Sequence, residues 1–375
     1  MTSKNTAIHE NGVSPKLSCQ YEQTGLKLAQ EFQSEYKQQI VWRKVFQFIL
    51  LHIGGLYGFY LTLFVCSWKT ILWMMLYGFA SAQGITAGAH RLWAHRSYKA
   101  KLPLRILLMI WQTISLQTYI YEWVRDHRVH HKFTDTNADP HNSKRGLFYS
   151  HIGWLMVKRH RDVKIKGNTV DVSDVEADPV VRFQRKYYLI LVIIFCLCIP
   201  TIVPWYLWDE DIWVSWFVAT MFRLTFSLNV TFAVNSFAHK WGAKPYDRKI
   251  GPVENGFISF LTGGEGWHNY HHVFPWDYKA AELSAYRLNC TTMLIDFFAS
   301  IGWAYDLKIV PSEMVAKRVQ RTGDGSRKFK IKQSTLDKSC HNHQESNVWG
   351  WGDIDMKYED VKSVKHYNRL KEANQ

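Results

Sequence analysis

The chain has 375 residues, 47% of them hydrophobic and 15% aromatic, with a formal net charge of +14, yet its mean hydropathy is slightly negative at -0.22. That balance excludes a protein almost wholly dissolved in lipid and fits apolar segments joined to a large polar part. The positive charge would suit nucleic-acid binding, but the basic residues follow the apolar segmentation and form no nucleic-acid motif, so no nucleic-acid partner is expected.

Residues 1–44 are polar and lack the short apolar core of a cleaved secretory signal, so the first apolar run is read as an uncleaved anchor. Four apolar runs, 45–66, 71–89, 187–206 and 213–237, each reach the roughly 20 residues that span a hydrocarbon layer of about 30 Å. They pair into 45–89 and 187–237. The connection inside the first pair is Ser67 to Thr70; the one inside the second carries Asp209, Glu210 and Asp211. Lys37, Arg43 and Lys44, the segment 90–186 and the C-terminal part are rich in Lys and Arg. The positive-inside rule therefore puts both termini and the central segment in the cytosol. The expected division is an N-terminal segment 1–44, helix pairs 45–89 and 187–237, cytosolic segments 90–186 and 238–316, and a polar tail 317–375.

Within these segments, 102–123 is apolar but interrupted by Arg105, Gln112, Gln117 and Glu122, which predicts a helix lying on the membrane. Asp139, Pro140, His141 and Asn142 read as a turn. Arg223 sits inside the fourth run, where a charge must be paired or face the bundle interior, so a structural role is expected. The six cysteines are scattered; Cys196 and Cys198 read as helix packing, and Asn289-Cys290-Thr291 as a glycosylation pattern left unmodified on the cytosolic side. From Lys317 the chain turns charged, and the last fifty residues read as a tail apart from the patch at Trp349 and Trp351.

Three tight boxes hold eight of the seventeen histidines: His90 and His95; His127, His130 and His131; His268, His271 and His272. Neutral imidazole is a common metal ligand, and spacings of three and four place the rings of the second and third boxes on one helix face. His90 and His95 are five apart, about 140° on an ideal α-helix, so either that helix is distorted or the two serve different ions. His239 would be a ninth ring, delivered by the fourth helix, with Asn235 one turn before it. Nine rings exceed one metal's capacity and suggest two ions with four or five ligands each. The remaining histidines, His9, His52, His141, His151, His160, His341, His343 and His366, read as structural or surface residues.

These boxes, with GITAGAHRLWAHRSYKAKLPLR, EWVRDHRVHHKFTDTNADPHNSKRG, NSFAHKWG and GEGWHNYHHVFPWDY, resemble the membrane acyl-CoA desaturases of the stearoyl-CoA (delta-9) type, insect members most. The similarity runs from about residue 45 to 326. It implies an all-α integral membrane protein of the endoplasmic reticulum, with four transmembrane helices and a cytosolic helical cap holding a histidine-box di-iron site. The positions matching the family's iron ligands are His90, His95, His127, His130, His131, His239, His268, His271 and His272, with Asn235 acting through water. The resemblance further implies O2 as co-substrate and electrons from NADH through a reductase and cytochrome b5. Trp123, Gln117 and Thr231 match the kink of a closed acyl tunnel, and Arg125, Asp126, Lys158 and Arg159 match contacts to CoA, the last two as a basic pair in swapped order. Thr118 departs from the asparagine of vertebrate members, so that contact is not carried over.

The function expected is insertion of a cis double bond into a saturated fatty acyl-CoA, delta-9 or another position such as delta-11. A di-iron lipid hydroxylase shares the ligand chemistry. A metal transporter would place its ligands at mid-bilayer, whereas these boxes lie beyond the helices.

Overall fold

The computed structural model describes residues 38–282, 289–327 and 347–368; His9, Cys19, Cys340, His341 and His343 lie outside them. From residue 40 on, the described residues form one compact unit. Three helices among the described residues are long and apolar enough to cross a membrane: α1 (Trp42–Phe64), α5 (Pro179–Trp208) and α6 (Ile212–His239). Helix α1 closes against α6 through Gly54, Gly55 and Gly58, where an added Cβ would collide with Met221, Thr225 and the Phe217 carbonyl respectively. Small residues give membrane helices this close approach. The opposite faces expose Leu56, Phe64, Leu189 and Tyr206, the apolar exterior that lipid requires.

The apolar run expected over 71–89 is less uniform than its neighbours. It forms α2 (Trp68–Gln83), which continues without a break as a π-helix over Gly84–Ala94. Its second half buries the polar residues Ser81, Gln83 and Thr86, and its composition falls short of the other three. Ser67 caps α2, and Glu210 from the other short connection accepts from the Ser67 N–H at 3.0 Å and hydroxyl at 2.7 Å.

The single helix expected over 102–123 is two helices, α3 (Leu102–Ile114) and α4 (Ile120–Lys132). Leu116 and Thr118, both in the left-handed region at φ 55° and 65°, turn the chain between them. Gly84 lets α2 and α3 touch, since a Cβ there would meet the Trp111–Gln112 backbone. An apolar recess of about 370 Å³ between α2, α3 and α5 is lined by Trp73, Tyr77, Trp111, Ile114, Phe195 and Ile199.

Arg223 finds its partners in backbone carbonyls: Ala219 at 2.9 Å, Ile114 at 3.2 Å and Cys196 at 3.3 Å. Cys196 and Ala219 lie in the π-helical stretches Val192–Cys198 and Trp216–Phe222, where the i→i+5 pattern alters which carbonyls are bonded. The guanidinium ties three helices together, the structural role expected of it.

The remaining elements include α7 (His268–Val273), α8 (Cys290–Ser300) and α9 (Ser312–Thr322). Two small antiparallel pairs join them: β1 (Lys99–Ala100) with β2 (Ala304–Tyr305), and β3 (Leu307–Ile309) with β4 (Lys365–Tyr367). The Asn289 side chain caps α8 through the Thr292 N–H and donates to the Lys279 carbonyl, so that sequon is occupied by a structural task. The expected tail is corrected in two places. Helix α9 runs through residue 317, and residues 347–368 pack against the body, with Trp349 only 2% exposed and β4 in register on β3.

Candidate metal centre

The π-helix resolves the spacing problem of the first box. The His95 N–H bonds to the His90 carbonyl at 3.0 Å, an i→i+5 link that widens the turn and brings residues five apart to the same side. Their ring centroids are 4.7 Å apart, so both serve one site on a distorted helix. The other boxes ride on α4 and α7, where i and i+4 are neighbours. His127 and His131 point one way with His271, and His268 and His272 point another with His130.

The result is two interlocked sets of ring nitrogens, each within 4.8 Å: His90, His95, His127, His131 and His271; and His130, His239, His268 and His272. The second box gives two rings to the first set and one to the second, and the third box does the reverse. His131 and His272 stack at the join, centroids 4.0 Å apart and planes 8° from parallel. All nine histidines are therefore brought together, including His239, which sequence left open.

The carbonyl and carboxylates behind the rings fix which nitrogen faces inward. His90 Nδ1 meets Glu265 at 2.9 Å, His130 Nδ1 meets Asp139 at 2.9 Å, and His95 Nδ1 donates to the Trp349 carbonyl. With Nδ1 protonated, each Nε2 presents a bare lone pair to the centre. Yet His90 Nε2 lies 2.9 Å from His271 Nε2, His95 Nε2 lies 2.9 Å from His127 Nε2, and His268 Nε2 lies 3.1 Å from His239 Nε2. Among the described residues, His131, His239 and His271 have no hydrogen-bond partner at Nδ1, the Asp135 carboxylate standing 3.9 Å from that of His239. Each ring whose Nδ1 is engaged behind it turns a lone pair inward, and five and four buried imidazoles converging on two points form a donor set that fits a metal.

Burial, and then repulsion among the rings, holds His95, His127, His131, His268, His271 and His272 well below the ordinary histidine value and His130 down at about 4. At neutral pH these rings are uncharged, the ligating form. Burial alone would raise the Glu265 carboxyl, but Arg91 at 2.7 Å and His90 override it and hold it at about 2.

Asn235 occupies the last turn of α6 before His239. Trp123 stacks on His127, centroids 4.8 Å apart and planes 21° apart, and Gln117 donates to Thr231 at 3.0 Å. Gln117 sits between the two left-handed residues Leu116 and Thr118, and a β-branched residue held there is strained. Arg125 and Arg159 share the carboxylate of Asp126 at 2.8 and 2.6 Å and that of Glu122 at 3.5 and 3.4 Å; Lys158 is exposed beside them.

Sequence reasoning missed the groups behind the ligands. Glu265 stands three residues before His268 in the third box, and Asp139 belongs to the segment read only as a turn; box-adjacent carboxylates were the available signal. His141, read as structural or surface, is buried with its ring 4.2 Å from that of His130. His151 bonds Ser236 and Asn229, His52 meets the Phe48 carbonyl and Asn229, and His160 caps the helix Arg161–Gly167.

Residues 67–289 match the Fatty acid desaturase family. The chain is 52% identical over 336 residues to an Acyl-CoA Delta-12 desaturase of Tribolium castaneum, covering 89% of this chain and 94% of that protein. It is 53% identical over 363 residues to an Acyl-CoA Delta-9 desaturase of Acheta domesticus, covering 96% of each. To Stearoyl-CoA desaturase 5 of Bos taurus it is 53% identical over 291 residues, 78% of this chain and 86% of the relative.

Proposed function

The chain belongs to the fatty acid desaturase family and is an acyl-CoA desaturase, and we propose that it inserts a cis double bond into a saturated fatty acyl-CoA at a centre built from its nine clustered histidines. The single observation that carries this reading is the pair of interlocked imidazole sets with inward-facing Nε2 atoms. All-imidazole sites suit iron, copper or zinc; a set of five rings exceeds the four ligands of tetrahedral zinc. Two bound irons supply the activation of O2 that an unactivated C–H bond requires.

Removing two hydrogens from the chain while reducing O2 to two waters needs two more electrons and two protons. We assign their supply to NADH through a reductase and cytochrome b5. The rings of His95, His127, His130, His131, His268, His271 and His272 stay neutral at working pH, and Glu265 and Asp139 hold His90 and His130 in the ligating tautomer. Asn235 is proposed to reach the centre through water. Trp123, stacked on His127, and the Gln117–Thr231 pair are proposed to bend the acyl chain past the centre and fix which C–H bonds meet it. Arg125, Asp126, Lys158 and Arg159 are proposed to hold the CoA head group.

The membrane layout proposed adds the helix Trp68–Ala94 to α1, α5 and α6 as a fourth span, with both termini and the histidine centre in a cytosolic cap on the endoplasmic reticulum. The distribution of Lys and Arg supports that orientation.

The test is expression in a desaturase-deficient yeast, with gas chromatography and mass spectrometry of its fatty acids. A cis monoene is expected, and its position settles delta-9 against delta-11 or delta-12. An alcohol would instead favour a lipid hydroxylase, and no product together with metal flux would favour a transporter. Metal analysis of purified protein should find about two ions per chain.

A further inference from the structure

We propose that the segment 349–352, Trp-Gly-Trp-Gly, is a positioning element that holds His95 in its ligating orientation, reaching it from far along the chain. The proposal rests on reading the first histidine set as a metal site.

His95 ends the π-helix and is followed by Arg96 in the left-handed region at φ 53°. No regular helical turn beyond it fixes the ring. The segment grips it twice. The Trp349 carbonyl accepts from His95 Nδ1, which leaves Nε2 bare toward the centre, and the Trp351 N–H bonds to the His95 carbonyl at 2.9 Å. Gly350 makes the approach possible: a Cβ there would lie 2.6 Å from the His95 carbonyl oxygen and 2.7 Å from its Cα.

Each neighbour of the segment anchors it to elements that carry other ligands. The Arg128 guanidinium lies 4.0 Å from the centre of the Trp349 ring and that of Arg96 5.0 Å, a contact that is strong when desolvated. Arg128 also bonds the Ala94 and Trp93 carbonyls at the end of the π-helix. Asp353 accepts from the Trp349 N–H at 2.9 Å and from Lys132 at 2.7 Å, at the end of the helix bearing the second box. Beyond it, β4 pairs with β3 and His366 meets Asp306 at 2.6 Å. A carbonyl that orients a ligating imidazole contributes about 10–100-fold in metal affinity.

The test measures metal content of the purified full-length protein after competition with a fixed chelator, in two backgrounds. With the second set disabled by His268→Ala, Gly350→Val is expected to weaken retention of the remaining metal 10–100-fold. With the first set disabled by His95→Ala, the same change should leave the remaining metal as it was. Trp349→Phe, which keeps the carbonyl and an aromatic ring, should hold metal better than Gly350→Val in the His268→Ala background. If Gly350→Val gives no folded protein, Gly350→Ala carries the same comparison, because its lone Cβ meets the same His95 atoms. Equal losses in both backgrounds, or full retention in the His268→Ala background, overturn the proposal. A parent protein whose metal content is unmoved by His95→Ala would instead sink the first set as a metal site, and the positioning role with it.

Discussion

Acidifying the metal-free protein should unfold it over a narrow range below neutrality. Burial and mutual repulsion hold six ring pKa values well below the ordinary range and that of His130 at about 4, whereas the same rings in an unfolded chain titrate near 6.5. Between those limits the unfolded state binds more protons than the native one, so stability rises with pH across the window. The contribution is fully present above about 6.5 and is lost as pH falls toward 4. Going from pH 7 to 5.5 costs on the order of 1 kcal/mol for each ring that stays neutral across that range. Seven such rings give an upper limit of several kcal/mol, comparable with the 5–15 kcal/mol that holds a typical domain folded. Chelator-stripped protein in detergent, followed by tryptophan fluorescence, should lose melting temperature steeply from pH 7 to 5.5. The double variant His131→Phe and His272→Phe, which replaces the stacked pair at the join, should show a shallower slope. A melting temperature flat over that range would refute the buried, neutral state of the rings.

His130→Ala and His271→Ala should each abolish desaturation in the yeast assay while leaving membrane-inserted protein, since each removes a ring that its neighbours cannot replace; full activity in either would show that the boxes are not ligand sets. Asp139→Ala should lower the affinity of the four-ring set about 10–100-fold by freeing the His130 tautomer, read by chelator competition, with the five-ring set retaining its metal. Turnover driven by cytochrome b5 should fall as salt rises from roughly 0.05 to 0.5 M, because weak docking on a basic surface is screened over about 8 Å at physiological ionic strength. A peroxide-driven reaction, used as the control, should change less, and a flat carrier-driven response would leave the basic surface to topology and lipid contact.

The ligand set was legible because chemistry forced residue type and spacing together: no other common side chain offers a neutral nitrogen donor, and i, i+3 and i+4 repeat on any helix. What spacing could not show was the partition. From the sequence, His127, His130 and His131 share a face; in the structure that face meets α7 so that His130 leaves its box-mates for the other set. The π-helix under His90 and His95 was visible only as a conflict between a five-residue step and a 3.6-residue turn. The Trp349 contact was invisible for a different reason. It joins residues 254 positions apart through a backbone carbonyl, and a carbonyl carries no side-chain signature. The turn at 116–118 was missed because neither Leu nor Thr announces a left-handed conformation.

The charge arrangement explains why the carboxylates stand behind the rings instead of among them. In the di-iron centre proposed above, nine neutral imidazoles around two divalent cations would leave the positive charge uncompensated in a buried space, which is costly at low effective dielectric. Glu265 is kept ionised by Arg91 and His90. Asp139, pushed up by burial, is opposed by the Asp135 and His141 N–H groups it accepts. A cation on the far side of His130 adds to that opposition, so metal binding and ionisation of Asp139 favour each other. Carboxylates placed one ring away would thus lower the charge of the proposed centre and orient its donors.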